Sequence, residues 1–261
     1  MPYVQNGRSR IILLVVCCCI SILVQSQSSS RFSVNKFTSA KGDSLNYRLL
    51  YPDSDPQRKY PLVIFLHGSG ERGKDNEAQL KWGVQSFATD QNMLLHPALV
   101  IAPQCPEGQT WSSFSSKEKT TDLLLLPNAS RPMELVVELI KQLIKTMPVD
   151  TNRIYITGLS MGGYGTYDAI ARYPNLFAAA IPVCGGGDVS KASTIAHIPT
   201  WIVHGADDPA VSPLFALNMF TALTKAGAHP GFTQYPEVGH FSWIGAYSDP
   251  LIIEWLFRQH K

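Results

Sequence analysis

The sequence predicts a doubly wound α/β domain with a mainly parallel sheet and helices on both of its faces. Two observations carry that expectation. Short apolar runs alternate along the chain with amphipathic helical periods, and a Gly-x-Ser-x-Gly turn joins one such run directly to a helix. In order, 45–51 (LNYRLLY) and 61–66 (PLVIFL) read as strands, the second apolar throughout as a strand covered on both faces must be. A helical period follows over 77–88, then a strand at 98–102 (ALVIA). Residues 132–146 form a plainly amphipathic helix (MELVVELIKQLIKT after its proline) that needs only a structural explanation. Strand 153–157 (RIYIT) runs into helix 162–172. Strands 178–183 (AAAIPV) and 200–203 (TWIV) come next, then helix 213–225, strand 232–235 (FTQY) and helix 250–259. The helices at 213 and 250 each open on a proline preceded by Ser or Asp, a capping arrangement.

The chain has 261 residues, room for one large domain or two small ones, and no Pro/Gly/Ser linker or repeat divides it after Ser30. Residues 11–24 are apolar except for Ser21, follow Arg8 and Arg10, and precede a run of Gln and Ser. That stretch is too short to span a bilayer and has the layout of a secretory signal peptide, with Val24 and Ser26 placing cleavage after Ser26. The expected organisation is therefore a leader over 1–26 and one catalytic domain over 27–261, secreted or periplasmic, with no stable membrane anchor after processing. A lipoprotein signal is disfavoured, because none of Cys17, Cys18 and Cys19 follows a small residue. Without the leader, basic and acidic residues balance at 20 each, leaving no electrostatic footprint for nucleic acid. Cys105 and Cys184 then remain; they follow strands that are not neighbours, so two free thiols are expected. Asn128-Ala129-Ser130 is a glycosylation sequon, meaningful only in a eukaryotic secretory pathway.

Gly158-Leu159-Ser160-Met161-Gly162 lies between strand RIYIT and helix GYGTYDAIARY. A serine on such a sharp turn projects its hydroxyl above the sheet, so Ser160 is the candidate nucleophile. A hydroxyl needs a base oriented by a carboxylate, and on hydrolases with this turn the partners follow in the order Ser, Asp/Glu, His. His240 is the candidate base: it comes just after the last strand, whereas His229 precedes that strand and His260 is the penultimate residue. His67 and His204 end strands in His-Gly pairs and are expected to brace loops. Asp207 and Asp208, after strand TWIV, are both candidates for the acid.

Six segments in order, LHGSGERG (66–73), APQCPEGQTW (102–111), GLSMGGYGTYDA (158–169), PVCGGGD (182–188), HGADDP (204–209) and GHFSWIGAY (239–247), resemble the secreted carboxylesterases of the dienelactone hydrolase and poly(3-hydroxybutyrate) depolymerase-like α/β-hydrolases, a group whose members often carry a peptidase label. The resemblance implies an α/β-hydrolase fold and assigns the acid to Asp208, leaving Asp207 at a variable position. It also implies an oxyanion hole from the N–H groups of Met161 and Ser69. Phe241-Ser242 departs from the group, where a polar residue often follows the histidine. Glu71 and Arg72 are expected to form a local salt bridge. Trp111, Phe241 and Trp243 fall in loops at the sheet's C-terminal edge, where they are candidates for a substrate-binding wall and equally for packing.

No metal-ligand spacing and no dinucleotide fingerprint occurs, so no metal and no cofactor are expected. Only 16 residues (184–199) separate two strands where a lid is commonly inserted, which predicts an open cleft without a cap domain. The expected function is a secreted serine carboxylesterase acting on small-molecule or polymer-attached esters through an acyl-enzyme. A serine peptidase of the prolyl-oligopeptidase-like type is the alternative, and a non-catalytic binding module the remote one.

Overall fold

The structure, a computed structural model, describes residues 31–52, 55, 57–116 and 122–261. The expected leader and its cleavage point lie outside the described residues. An eight-stranded sheet forms the centre. Its strands are β1 (Phe32–Thr38), β2 (Ser44–Leu50), β3 (Tyr60–Leu66), β4 (Leu99–Pro103), β7 (Val149–Leu159), β8 (Ala179–Val183), β9 (Trp201–Gly205) and β10 (Gly231–Tyr235), while β5 (Phe114–Ser116) and β6 (Leu123–Leu125) make a separate hairpin. The spatial order is β1-β2-β4-β3-β7-β8-β9-β10; β2 runs antiparallel to both its neighbours and every other pair is parallel.

Every residue of β3 and β4 is buried, because alternate side chains enter two different cores. Leu62, Ile64, Leu66, Ile101 and Ile156 face one layer with Met133, Val136, Ile140 and Leu143 of α2 (Arg131–Thr146). Val63, Phe65, Val100, Tyr155, Ile181 and Val203 face the other, with Trp243, Tyr247, Ile253 and Leu256. The first layer also includes α3 (Met161–Arg172) and α5 (Leu214–Lys225); the second includes α6 (Trp243–Ser248) and α7 (Pro250–Arg258). Asp249 caps α7 by accepting from Leu251 N–H at 2.8 Å, as its place before Pro250 predicts. Two further short helices are α1 (Asp90–Leu95) and α4 (Ala192–Ile195). With a 3₁₀ turn at Val189–Lys191, α4 fills the stretch where a lid would be inserted.

One predicted helix is absent. The period over 77–88 folds instead as two 3₁₀ turns, Ala78–Leu80 and Val84–Ala88, split at Gly83. Gly83 has φ +73°, and a Cβ there would stand 2.4 Å from the Tyr247 ring. The positive φ takes the chain out of the helical region, and the ring beside it leaves no room for a side chain at that position. Conversely, β1 is a strand the sequence does not announce: only Phe32 and Phe37 of its seven residues are buried, so it has no period-two pattern. Cys105 and Cys184 are both free and buried, and β3 and β7 separate the strands that precede them.

Candidate active site

The C-terminal ends of the parallel strands meet at one edge, and β7 delivers Ser160 there. Ser160 takes φ +53° and ψ −116°, a conformation that strains any residue with a side chain and persists only where the surroundings impose it. The flanking glycines are what allow the turn. A Cβ on Gly162 would lie 1.9 Å from the Leu66 carbonyl oxygen, and one on Gly158 would lie 2.5 Å from the Gly162 oxygen. Strand β3 thus runs hard against the first turn of α3.

Ser160 Oγ lies 2.9 Å from His240 Nε2, and His240 Nδ1 lies 2.7 Å from Asp208 Oδ2. Asp208 is buried, and its other oxygen accepts from the N–H groups of Ala210 and Val211, each at 2.9 Å. Burial alone would raise its carboxyl pKa; the His240 ring and those two N–H groups outweigh it and hold the group below its ordinary value. A carboxylate facing Nδ1 fixes the proton there, which leaves Nε2 to accept from the serine hydroxyl. Asp207, one residue earlier, is exposed, and its main-chain N–H is spent on the Val238 carbonyl.

Both remaining strand-end histidines brace loops. His204 Nε2 sits 3.0 Å from the Val211 carbonyl, which its N–H satisfies, and 3.3 Å from Asp208 Oδ2, so it backs the acid loop. His67 Nε2 accepts from Cys105 N–H at 2.9 Å; its Nδ1–H therefore donates to the Gly68 carbonyl at 2.6 Å. Burial pushes its pKa down to about 4, so the ring stays neutral.

Two candidate oxyanion donors flank the serine. Met161 opens α3, where the first N–H groups have no acceptor within the helix. Ser69 begins a 3₁₀ turn, Ser69–Glu71, just past Gly68, which packs against the Leu159 side chain. Two expectations about neighbouring residues change. Glu71 does not pair with Arg72; it turns inward, only 7% exposed, with Oε2 3.0 Å from the point where a Cβ on Gly68 would stand. Trp111 does not line the cleft. It is fully buried, donates its indole N–H to the His67 carbonyl at 3.0 Å and packs on Gly165, because a buried indole must find an acceptor.

The other two aromatics remain at the edge in different ways. Phe241 is 55% exposed beside the histidine; Trp243 is nearly buried, edge-on to His240 with ring centres 5.2 Å apart. Trp82, which nothing in the sequence marks, completes the group at 5.9 Å from Phe241 and 6.2 Å from Trp243. A second aromatic pair, Tyr164 and Phe215, has ring centres 5.9 Å apart and includes the half-buried residue one helical turn beyond Ser160. Among the described residues, one group has metal-type ligands close together: Cys184, Asp208 and His240. The last two already share a hydrogen bond and would have to part to admit an ion. The arrangement suits proton transfer from a hydroxyl.

The phospholipase/carboxylesterase family model matches residues 53–247. A crystal structure of a thermostable esterase superposes with a TM-score of 0.83 at 41% identity, covering 90% of this chain and 64% of that one. A bifunctional acetylxylan esterase/xylanase, XynS20E of Neocallimastix patriciarum, is 27% identical over 165 residues, 62% of this chain and 21% of that protein. Poly(3-hydroxyalkanoate) depolymerase C of Paucimonas lemoignei is 24% identical over 182 residues, 69% of this chain and 41% of its own. The chain thus spans about a fifth and two fifths of the length of these two curated relatives.

Proposed function

The chain belongs to the phospholipase/carboxylesterase family of α/β-hydrolases, and from that premise we propose that it is a secreted serine carboxylesterase working through Ser160, His240 and Asp208. Family membership and an esterase among the similar structures support ester hydrolysis as its activity. The observation that carries the reading is the continuous chain from Ser160 Oγ to His240 Nε2 at 2.9 Å and from His240 Nδ1 to Asp208 at 2.7 Å. His240 takes the hydroxyl proton as Oγ adds to the ester carbonyl, and the carbonyl π electrons move to oxygen. Met161 and Ser69 N–H groups stabilise that oxyanion. Collapse expels the alkoxide, which takes the proton from His240, and leaves an acyl-Ser160 ester. Water, deprotonated by the same ring, then adds to the acyl carbon and releases the acid and the serine. The substrates we assign are small-molecule or polymer-attached esters, in keeping with an esterase and a polyester depolymerase among the relatives. Export is assigned from the basic and apolar pattern of residues 1–26.

Cleaving an amide would ask more of this site, because a poor leaving amine must be protonated and its bond held firmly in place. Between β8 and β9 the chain offers one 3₁₀ turn and the four-residue α4 to do so. We therefore expect kcat/KM for p-nitrophenyl acetate to exceed that for p-nitroacetanilide and for a chromogenic proline peptide by about a thousandfold or more. Comparable values for the amides would overturn the assignment in favour of a peptidase.

A further inference from the structure

Phe241 is where the chain departs from the esterases it resembles, an apolar side chain directly after the base where a polar one often stands. Its ring is 55% exposed, although a phenyl ring gains from leaving water. Ile244 is exposed as well, and its N–H donates to the Phe241 carbonyl at 3.1 Å, so the two lie one turn apart at the start of α6. Single apolar side chains on a surface need no explanation. These two are not single. Phe241 packs on Trp243 with ring centres 4.8 Å apart and meets Trp82 edge-on at 5.9 Å, while Lys81 Nζ lies over the Trp82 ring, 5.1 Å from its centre. Trp82 and Trp243 pack on each other, and Trp243 is edge-on to His240. The exposed step is therefore the outer end of one aromatic wall that begins at the base.

The leaving proton decides which half of an ester meets this wall. The alkoxide departs by taking the proton that His240 Nε2 received from Ser160, so the alcohol oxygen must come within hydrogen-bond reach of that nitrogen. The carbonyl oxygen is held elsewhere, by the Met161 and Ser69 N–H groups. What is attached to the alcohol oxygen is then the part of the substrate nearest His240 and the rings packed around it. A sugar hydroxyl laid against Phe241 and Ile244 would lose water and find no partner in either side chain. A flat apolar group has no such loss and can stack.

We propose that Phe241, with Ile244 and Trp82, forms the alcohol-side subsite of the cleft and selects esters of flat apolar alcohols, aryl or arylmethyl, over esters of sugars; this rests on the esterase reading above. The subsite acts on acylation alone, since the alcohol has gone before water attacks the acyl-enzyme. The second aromatic pair is built from other elements. Tyr164 lies on α3 and Phe215 on α5, where a Cβ on Gly186 would stand 2.7 Å from the Phe215 ring. Loss of the Phe241 ring leaves that pair in place.

Benzyl acetate and methyl phenylacetate are isomers that carry the same ring on the alcohol side and on the acyl side, and their alcohols leave with similar ease. In Phe241→Ser we expect the ratio of kcat/KM for benzyl acetate to that for methyl phenylacetate to fall at least about tenfold, with the loss carried by benzyl acetate. The wild type should also prefer benzyl acetate to the fully acetylated methyl xyloside by at least about tenfold, and Phe241→Ser should narrow that preference. A ratio of the isomers that moves by less than about threefold, an equal loss on both, a loss confined to methyl phenylacetate, or a wild-type preference for the sugar ester overturns the proposal. Should Phe241→Ser fail to fold, Ile244→Ser at a comparably exposed position should move the same ratio the same way by about threefold; an unmoved ratio is equally fatal. Ser160→Ala on the same two esters separates the levels of inference. Activity lost there with an unmoved ratio in Phe241→Ser discards only the subsite, whereas activity retained in Ser160→Ala discards the esterase mechanism itself.

Discussion

Ser160→Ala should fold as the wild type does and lose ester hydrolysis by about 10⁴-fold to 10⁶-fold in kcat. Folding should survive because the hydroxyl packs against nothing that depends on it: its polar contact is His240, itself part-exposed, and the strain of the turn resides in the main chain. Alanine carries a Cβ just as serine does, so it meets the same φ of +53° without a new clash. What disappears is the covalent route. Circular dichroism and thermal melting should coincide with wild type while p-nitrophenyl acetate turnover falls to a residual level supported by binding and the oxyanion donors. Turnover near the wild-type rate would remove Ser160 from the mechanism.

The second large effect separates two adjacent carboxylates. Asp208→Asn should lower kcat by about 10⁴-fold, because an amide can present its NH₂ to Nδ1, which drives the ring proton to Nε2 and takes away the acceptor Ser160 needs. It also withdraws the buried carboxylate charge that would stabilise an imidazolium at His240. Asp207→Asn should stay within about twofold, since that side chain is exposed and the residue is held by its main-chain N–H instead. Steady-state kinetics on the same aryl ester decides between them, and the reverse ranking would move the acid to Asp207.

Parallel strands were the most legible part of the fold because burial on both faces leaves no choice of residue type, as in 61–66. The edge was less legible: β1 borrows its order from pairing with β2 and buries only its first residue and Phe37. The spacing of Leu80, Val84 and Phe87 imitates a helix, since apolar side chains on successive 3₁₀ turns can point the same way, and only Tyr247, distant in sequence, shows why residue 83 admits no side chain. In the site, residues 158–162 could be read because a strand, a strained turn and a helix are contiguous there. Trp82 could not, for its neighbours Phe241 and Trp243 come from the other end of the chain. Trp111 was misplaced for a related reason. A loop position says nothing of which way an indole turns, and the His67 carbonyl supplied an acceptor inside the core. The inward turn of Glu71 is the same kind of information: an adjacent Arg72 suggests a pair, and its burial beside Gly68 is visible only in three dimensions.

The central claim is that Ser160 is a nucleophile activated by His240, and it is tested most directly by treatment with a fluorophosphonate followed by peptide mass mapping. One phosphonyl group per chain, on the peptide and residue of Ser160, with esterase activity lost in proportion to its formation, is the result this structure predicts. Undiminished turnover after exhaustive treatment, or an adduct on another residue that tracks the loss, would contradict it.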